Sequence, residues 1–200
     1  MNKTNEFARK NTEAKVFVTV FFTVLDTRKR ELTFCNAGHP SAILKTPKGI
    51  KMLEPNSTVI GIFENENFLE DKVSFKYGDI SVFYSDGVTE AKRNGELFGE
   101  EHLIKLVRDI KTKNVKEYPE IIFNEINDFT KGKLEDDIVL LSVALKTKFV
   151  KINSSNFLKN TKLKVKSRRV VADILYRTVT LKNITQLPRL GIDKKNRPGC

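Results

Sequence analysis

Residues 80–87 read Ile80-Ser81-Val82-Phe83-Tyr84-Ser85-Asp86-Gly87. The first five are dense in β-branched and aromatic side chains, which predicts a strand. The Tyr77-Gly78-Asp79 turn precedes them, and Ser85-Asp86-Gly87 ends the run. Asp86 therefore falls directly after a buried strand, and Gly87 lets the chain turn away sharply. A second buried strand is predicted over Ile138 to Leu145 (IVLLSVAL), with Asp136 and Asp137 directly before it. If the two strands are antiparallel neighbours, the end of one lies beside the start of the other. Three carboxylates then share one sheet edge, where uncompensated negative charge is unfavourable. A hard divalent cation relieves it, and an all-oxygen donor set favours Mg²⁺ or Mn²⁺ over zinc. On spacing alone, aspartates at strand ends read better as ordinary turn or cap residues, with the metal site as the alternative.

The flanking pattern fills in an α+β order. Val16 to Leu25 (VFVTVFFTVL) predicts a buried central strand, and Leu32 to Cys35 its hairpin partner. Ala42-Ile43-Leu44 and Ile50 to Leu53 predict two more strands around the Thr46-Pro47-Lys48-Gly49 turn, and Val73-Ser74-Phe75 another. Leu103, Leu106, Val107 and Ile110 fall on one helical stripe, as do Ile122, Ile126 and Phe129, with Pro119 near that helix's start. Strands, a helix pair and a last strand describe a mainly antiparallel sheet with helices on it.

Composition bounds the function class. The 200 residues are 40% hydrophobic and 30% charged, enough for a sizeable core and against wholesale disorder. Two cysteines exclude a disulfide framework or a zinc ribbon, and Cys35, inside a strand, reads as core rather than nucleophile. The apolar run at 16–25 is too short to span a bilayer and Asp26 to Arg30 follows it instead of a cleavage site, so a soluble cytoplasmic protein without membrane association is expected. The net charge of +11 is unevenly distributed: residues 148–200 hold 14 Lys and Arg against 2 Asp and Glu, leaving 1–147 close to neutral. A boundary is therefore expected near Lys146 to Phe149, separating a body (1–147) from a basic tail (148–200). Within the tail, Arg168 to Thr178 is expected to form an amphipathic helix. Its aromatics are too sparse for base stacking, so nucleic acid is an unlikely partner.

Four strings occur in one order: NAGHP (36–40), YGDISVFYSDGVTEA (77–91), GELFGEEHL (95–103) and EDDIVLLSVAL (135–145). Together with Phe17-Val18-Thr19 and Asn94 to Gly99, they resemble the C-terminal two-thirds of the bacterial PPM (protein phosphatase 2C-like) domain of SpoIIE/RsbU type, over residues 1–146. The resemblance implies an αββα sandwich that binds two Mn²⁺ or Mg²⁺ ions and hydrolyses phosphoserine or phosphothreonine. It implies Asp86 and Asp136 as metal ligands that act through metal-bound water, with Asp137 as a neighbour that orients or hydrogen-bonds, or as a further ligand. Gly87 would serve the turn, and Asn36, Gly38 and His39 a loop that contacts substrate or shapes the site. The ions would lower the pKa of a bridging water and neutralise the in-line transition state. The implied partner is a phosphorylated signalling protein such as an anti-sigma factor antagonist.

The sequence departs from that pattern at its start. The family's Gly-Asp-x-x-Asp motif and Gly-Lys-Gly loop are not among the 200 residues, and the only Gly-Asp pair, Gly78-Asp79, belongs to the turn before the Asp86 strand. The expected fold is thus N-terminally incomplete and short of ligands for two ions. Two readings follow: a metal-dependent serine/threonine phosphatase, or a catalytically inactive phosphatase-like fragment serving as an interaction module or without function. His102, after Glu100 and Glu101 at a helix start, is expected on the surface.

Overall fold

The computed structural model describes residues 1–12, 16–149 and 168–179, of which 147–149 and 168–179 are described by backbone alone. Most of the basic tail, including Cys200, lies outside the described residues. The chain runs through α1 (Asn2–Asn11), β1 (Val20–Asp26), β2 (Glu31–Ala37), β3 (Ala42–Thr46), β4 (Gly49–Leu53), β5 (Asp71–Ser74) and β6 (Ile80–Tyr84). A single-turn helix α2 (Asp86–Thr89) and a small hairpin, β7 (Lys92–Arg93) and β8 (Glu96–Leu97), lead to α3 (Glu100–Asp109) and α4 (Tyr118–Thr130). The sheet is then completed by β9 (Ile138–Phe149) and β10 (Arg168–Val179).

Two antiparallel sheets stack. One has the order β1-β2-β5, the other β10-β9-β6-β3-β4. β6 shows why a central strand reads as an unbroken apolar run. Alternate side chains point to opposite faces, and here both faces are covered. Ile80, Val82 and Tyr84 pack against Leu103, Val107, Ile122 and Ile126 of the helix layer. Phe83, from the other face, packs with Leu32, Phe34 and Val73 of the smaller sheet. Each large side chain so buried contributes about 1.5–3 kcal/mol. Ser81 also faces the space between the sheets, fully buried, and its hydroxyl is the buried side-chain polar atom left without a hydrogen-bond partner among the described residues.

Two expectations are corrected. Val16 to Leu25 is not a central strand: after an isolated bridge from Val18 to Ile60, the strand begins at Val20, and β1 is the edge of the three-stranded sheet. Phe21 turns inward, stacked on Phe34 at 5.4 Å and edge-on to Phe83 at 5.2 Å, whereas Phe22 and Val24 on the opposite face are half exposed. β-branched and aromatic density reports strand propensity, which is silent on whether a second neighbour exists. Residues 168–179 are not a helix either. They pair with β9 along its whole length, from Arg168 opposite Phe149 to Val179 opposite Ile138. Four β-branched or aromatic residues among Val170, Val171, Ile174 and Tyr176 outweigh a helical stripe of three.

The layers seen are therefore helices, five strands and three strands, an α+β sandwich. The five-stranded sheet overhangs the smaller one: β1 lies over β6, so β9 extends past it. The overhang leaves a cleft of about 700 Å³ between Phe21, Leu25 and Leu32 on one side and Phe83, Leu141 and Val143 on the other. No helix among the described residues is long and apolar enough to cross a membrane.

Candidate functional site

β6 and β9 pair antiparallel, with Tyr84 opposite Leu140 and Phe83 opposite Leu141. The C-terminal end of β6 therefore meets the N-terminal end of β9, and Ser85-Asp86-Gly87 comes to lie beside Asp136-Asp137. Ser85 fastens the two. Its N–H donates to the Val139 carbonyl at 3.1 Å, its hydroxyl donates to the Asp137 carbonyl at 3.0 Å, and the same oxygen accepts the Val139 N–H at 2.9 Å. Gly87 is buried against this junction. A Cβ there would stand 3.4 Å from the Asp136 Cβ.

Asp86 and Asp136 each bond the amide of the following residue. Asp86 Oδ1 accepts the Gly87 N–H at 3.0 Å, and Asp136 Oδ1 accepts the Asp137 N–H at 2.7 Å. Each of these bonds engages one carboxylate oxygen, Oδ1. Beside it lies a recess of about 220 Å³ lined by Gly87, Glu90, Lys92, Glu135 and Asp136. Asp86 and Asp136 are hard oxygen donors, which fit a divalent cation in kind. They fall short in number: among the described residues, no group of three or more His, Cys, Asp or Glu side chains is placed to hold a metal ion.

The NAGHP loop closes the same end of the sandwich. Asn36, fully buried, accepts the His39 N–H on its Oδ1 at 2.9 Å. Its own N–H donates to Asn56 Oδ1 at 2.8 Å, and its carbonyl accepts the N–H groups of Asn56 and Ser57 at 3.1 and 3.0 Å. Gly38 has φ +71°, and a Cβ on it would meet Val59 Cγ1 at 2.6 Å. Both residues thus build the loop. His39 is presented inward, its Nδ1 within 3.2 Å of Thr19 Oγ1. Burial lowers its pKa from the ordinary 6.5, opposed by the Asp86 carboxylate and the Tyr84 carbonyl. The imidazole therefore lies within electrostatic reach of Asp86. Cys35 is buried core. His102 is more than a surface residue: its ring stacks on Phe98 at 4.2 Å and reaches Glu125 at 3.6 Å.

Sequence reasoning missed Ser85 as a clasp, and Asn56, Ser57 and Val59 as supports of the loop. The signal for Ser85 was present, a hydroxyl at a strand end before Asp-Gly. The other three lie in the irregular stretch between β4 and β5, where no periodicity marks them.

Antiparallel sheets stacked beneath a helix pair, with paired aspartates at the edge of the larger sheet, define the protein phosphatase 2C-like class. The chain belongs to the family described as Stage II sporulation protein E (SpoIIE), matched over residues 1–146. It is similar to Protein IcfG of Synechocystis sp. (strain ATCC 27184 / PCC 6803 / Kazusa), 30% identical over 145 residues, 70% of this chain and 23% of that protein. It is also similar to the phosphoserine phosphatase RsbU of Bacillus subtilis (strain 168), 25% identical over 139 residues, 68% of this chain and 42% of RsbU. Among solved structures, the Mn-presoaked phosphatase domain of the cell-fate determinant SpoIIE from Bacillus subtilis superposes with a TM-score of 0.56 at 19% identity, covering 70% of this chain and 60% of that one. The chain spans less than half the length of the curated relatives it matches.

Proposed function

We propose that residues 1–147 form the phosphatase unit of a divalent-metal-dependent protein serine/threonine phosphatase, acting on a phosphorylated bacterial signalling protein such as an anti-sigma factor antagonist. The observation that carries this reading is the antiparallel adjacency of β6 and β9, which brings the strand end before Asp86 beside the strand start after Asp136 and Asp137. Asp86 and Asp136 would hold Mn²⁺ or Mg²⁺, and Asp137 completes the acidic edge. A bound ion of this kind supplies Lewis acidity toward a phosphoryl oxygen and acidifies a coordinated water. The chain's own contributions are positional. Ser85 and Gly87 fix the distance between the two carboxylates, the local amide bonds orient one oxygen of each, and the Asn36–Gly38 loop presents His39 toward Asp86.

A second reading, a non-catalytic phosphatase-like module, is favoured by one observation: among the described residues, no group of three or more His, Cys, Asp or Glu side chains is placed to hold a metal ion. Calorimetric titration of the 200-residue chain with Mn²⁺, followed by release of phosphate from a phosphoserine peptide, separates the two. The phosphatase reading expects metal binding below millimolar concentration and hydrolysis that Asp86→Asn abolishes. Absence of binding at millimolar Mn²⁺ leaves the module.

A further inference from the structure

The five-stranded sheet has a second pole, opposite the carboxylate edge. Here β6 begins at Ile80, β3 ends at Thr46, and β9 passes through Ala144 to Lys146. Ile80 and Asp86 are six positions apart along extended chain, which puts the two poles roughly 20 Å apart. A cleft of about 500 Å³ opens at this pole between the strand ends and the connection from α3 to α4. That volume falls within the range of small-ligand sites.

The cleft has an apolar interior and a cationic mouth. Ile80, Ile110, Val115, Tyr118 and Leu145 line it, and each of these is buried. Lys45, Lys111, Lys113 and Lys146 stand around it, with Asp79 as the one carboxylate on the lining. Asp79 is buried and already accepts the Lys76 N–H at 2.7 Å, so it does little to neutralise the mouth. Lys45 is committed to the fold. Its ammonium donates to the carbonyls of Val107, Arg108 and Ile110 at 2.8, 3.1 and 2.6 Å, and it lies 5.5 Å over the Tyr118 ring. The chain then sets Lys111 next to it. Burial first and Lys111 second lower the Lys45 pKa, with only Asp109 opposing. Lys111 and Lys113 are exposed, and among the described residues neither makes a salt bridge.

Four lysines at the rim of a low-dielectric concavity outnumber the two nearby carboxylates, the buried Asp79 and Asp109, and focus positive potential there. Apolar walls behind that rim give a ligand's uncharged part somewhere to leave water. We propose that this cleft is a binding site for a small amphipathic anion, an apolar body of about one ring bearing a phosphate, phosphonate or carboxylate group. The anion faces Lys111 and Lys113, and the ring packs toward Ile110, Val115 and Tyr118. The site is separate from the carboxylate edge and does not depend on the phosphatase reading.

The test is an amide chemical-shift titration of the full 200-residue chain with benzylphosphonate, which cannot be hydrolysed at phosphorus as an ester, in the presence of EDTA. The expected result is saturable shifts at Ile80, Ile110 to Val115 and Ala144 to Lys146, with a Kd in the millimolar range or tighter. Lys111→Glu with Lys113→Glu weakens binding at least tenfold, while Lys105→Glu, at an exposed position on α3, leaves it unchanged. Benzyl alcohol, which keeps the ring and lacks the charge, binds the unaltered chain at least tenfold more weakly, a comparison that needs no variant to fold. Shifts confined to the Asp86–Asp136 edge, shifts that do not saturate, or equal binding of the charged and neutral probes would overturn the proposal.

Discussion

Gly87 is packed against the backbone of Asp137: a Cβ built on Gly87 would lie 2.5 Å from the Asp137 carbonyl oxygen. Ser85 donates its hydroxyl to that same oxygen at 3.0 Å. The strand ends are held together at van der Waals limits, with no room for a methyl group. Gly87→Ala is expected to cost about 1–3 kcal/mol as an overpacked site. It also spreads Asp86 from Asp136, so Mn²⁺ affinity falls with stability. Urea unfolding and calorimetric metal titration of the same variant check both. An unchanged unfolding midpoint would show that the junction yields freely.

Ser81 lies between the sheets with an unpartnered hydroxyl. Desolvating a hydroxyl without a compensating bond is unfavourable by about 1–3 kcal/mol. Ser81→Ala, which leaves only a small void, is therefore expected to be neutral or to stabilise by about 1 kcal/mol. A clear loss of stability in thermal or urea unfolding would mean that the hydroxyl has a partner, such as a buried water.

Lys45 closes the C-terminal end of α3 with three carbonyl acceptors. Lys45→Met keeps the aliphatic stem and removes the donors. With allowance for partial exposure, a loss of about 1–2 kcal/mol is expected. Hydrogen exchange of the last turn of α3 should accelerate more than exchange in α4, which distinguishes a lost cap from general loosening.

His39 gives the metal-free protein an acid-side sensitivity. Burial lowers its pKa below 6.5, with Asp86 opposing. The folded chain therefore binds this proton less readily than the unfolded chain, and unfolding takes a proton up between the two values. The contribution is complete above 6.5, declines as pH falls through 6.5, and stops changing once pH drops below the lowered folded value. In EDTA, the NMR titration of His39 should have its midpoint below 6.5, and His39→Gln should flatten the stability profile in that window. A midpoint above 6.5 would reverse the sign and show Asp86 to dominate.

What the sequence disclosed followed from where local pattern and tertiary environment agree. β6 and β9 are buried on both faces, so their apolar runs are legible, and the aspartates at their ends were located before their adjacency was known. α3 and α4 each show one apolar stripe because each buries one face. β1 shows the limit of this. Its composition matches a central strand, yet a strand's place in a sheet depends on partners that lie elsewhere in the chain. β10 shows the reverse error, since Val171, Ile174 and Leu175 fit a helical stripe while β-branched content and pairing to β9 decide for extended backbone. α1 gave no apolar periodicity to find. It is anchored by a polar side chain, Asn5, which donates to the Phe63 carbonyl at 2.9 Å and accepts the Gly61 N–H at 2.8 Å. The NAGHP loop was placed by resemblance, but its supports Asn56 and Val59 are irregular in sequence and appear only through contact.

The unequal width of the two sheets bears on how this protein behaves at high concentration. Val20 to Leu25 carries no charge, no proline and no bulge, and it presents an unpaired row of backbone donors and acceptors. Natural edges are blunted by such features. A second copy can add its own strand to this edge. The expected colloidal failure at high concentration is edge-to-edge association through β1, helped by the exposed Phe22 and Val24. A single lysine at either position would act as a gatekeeper for solubility while leaving the inward-facing Phe21 and its contacts intact.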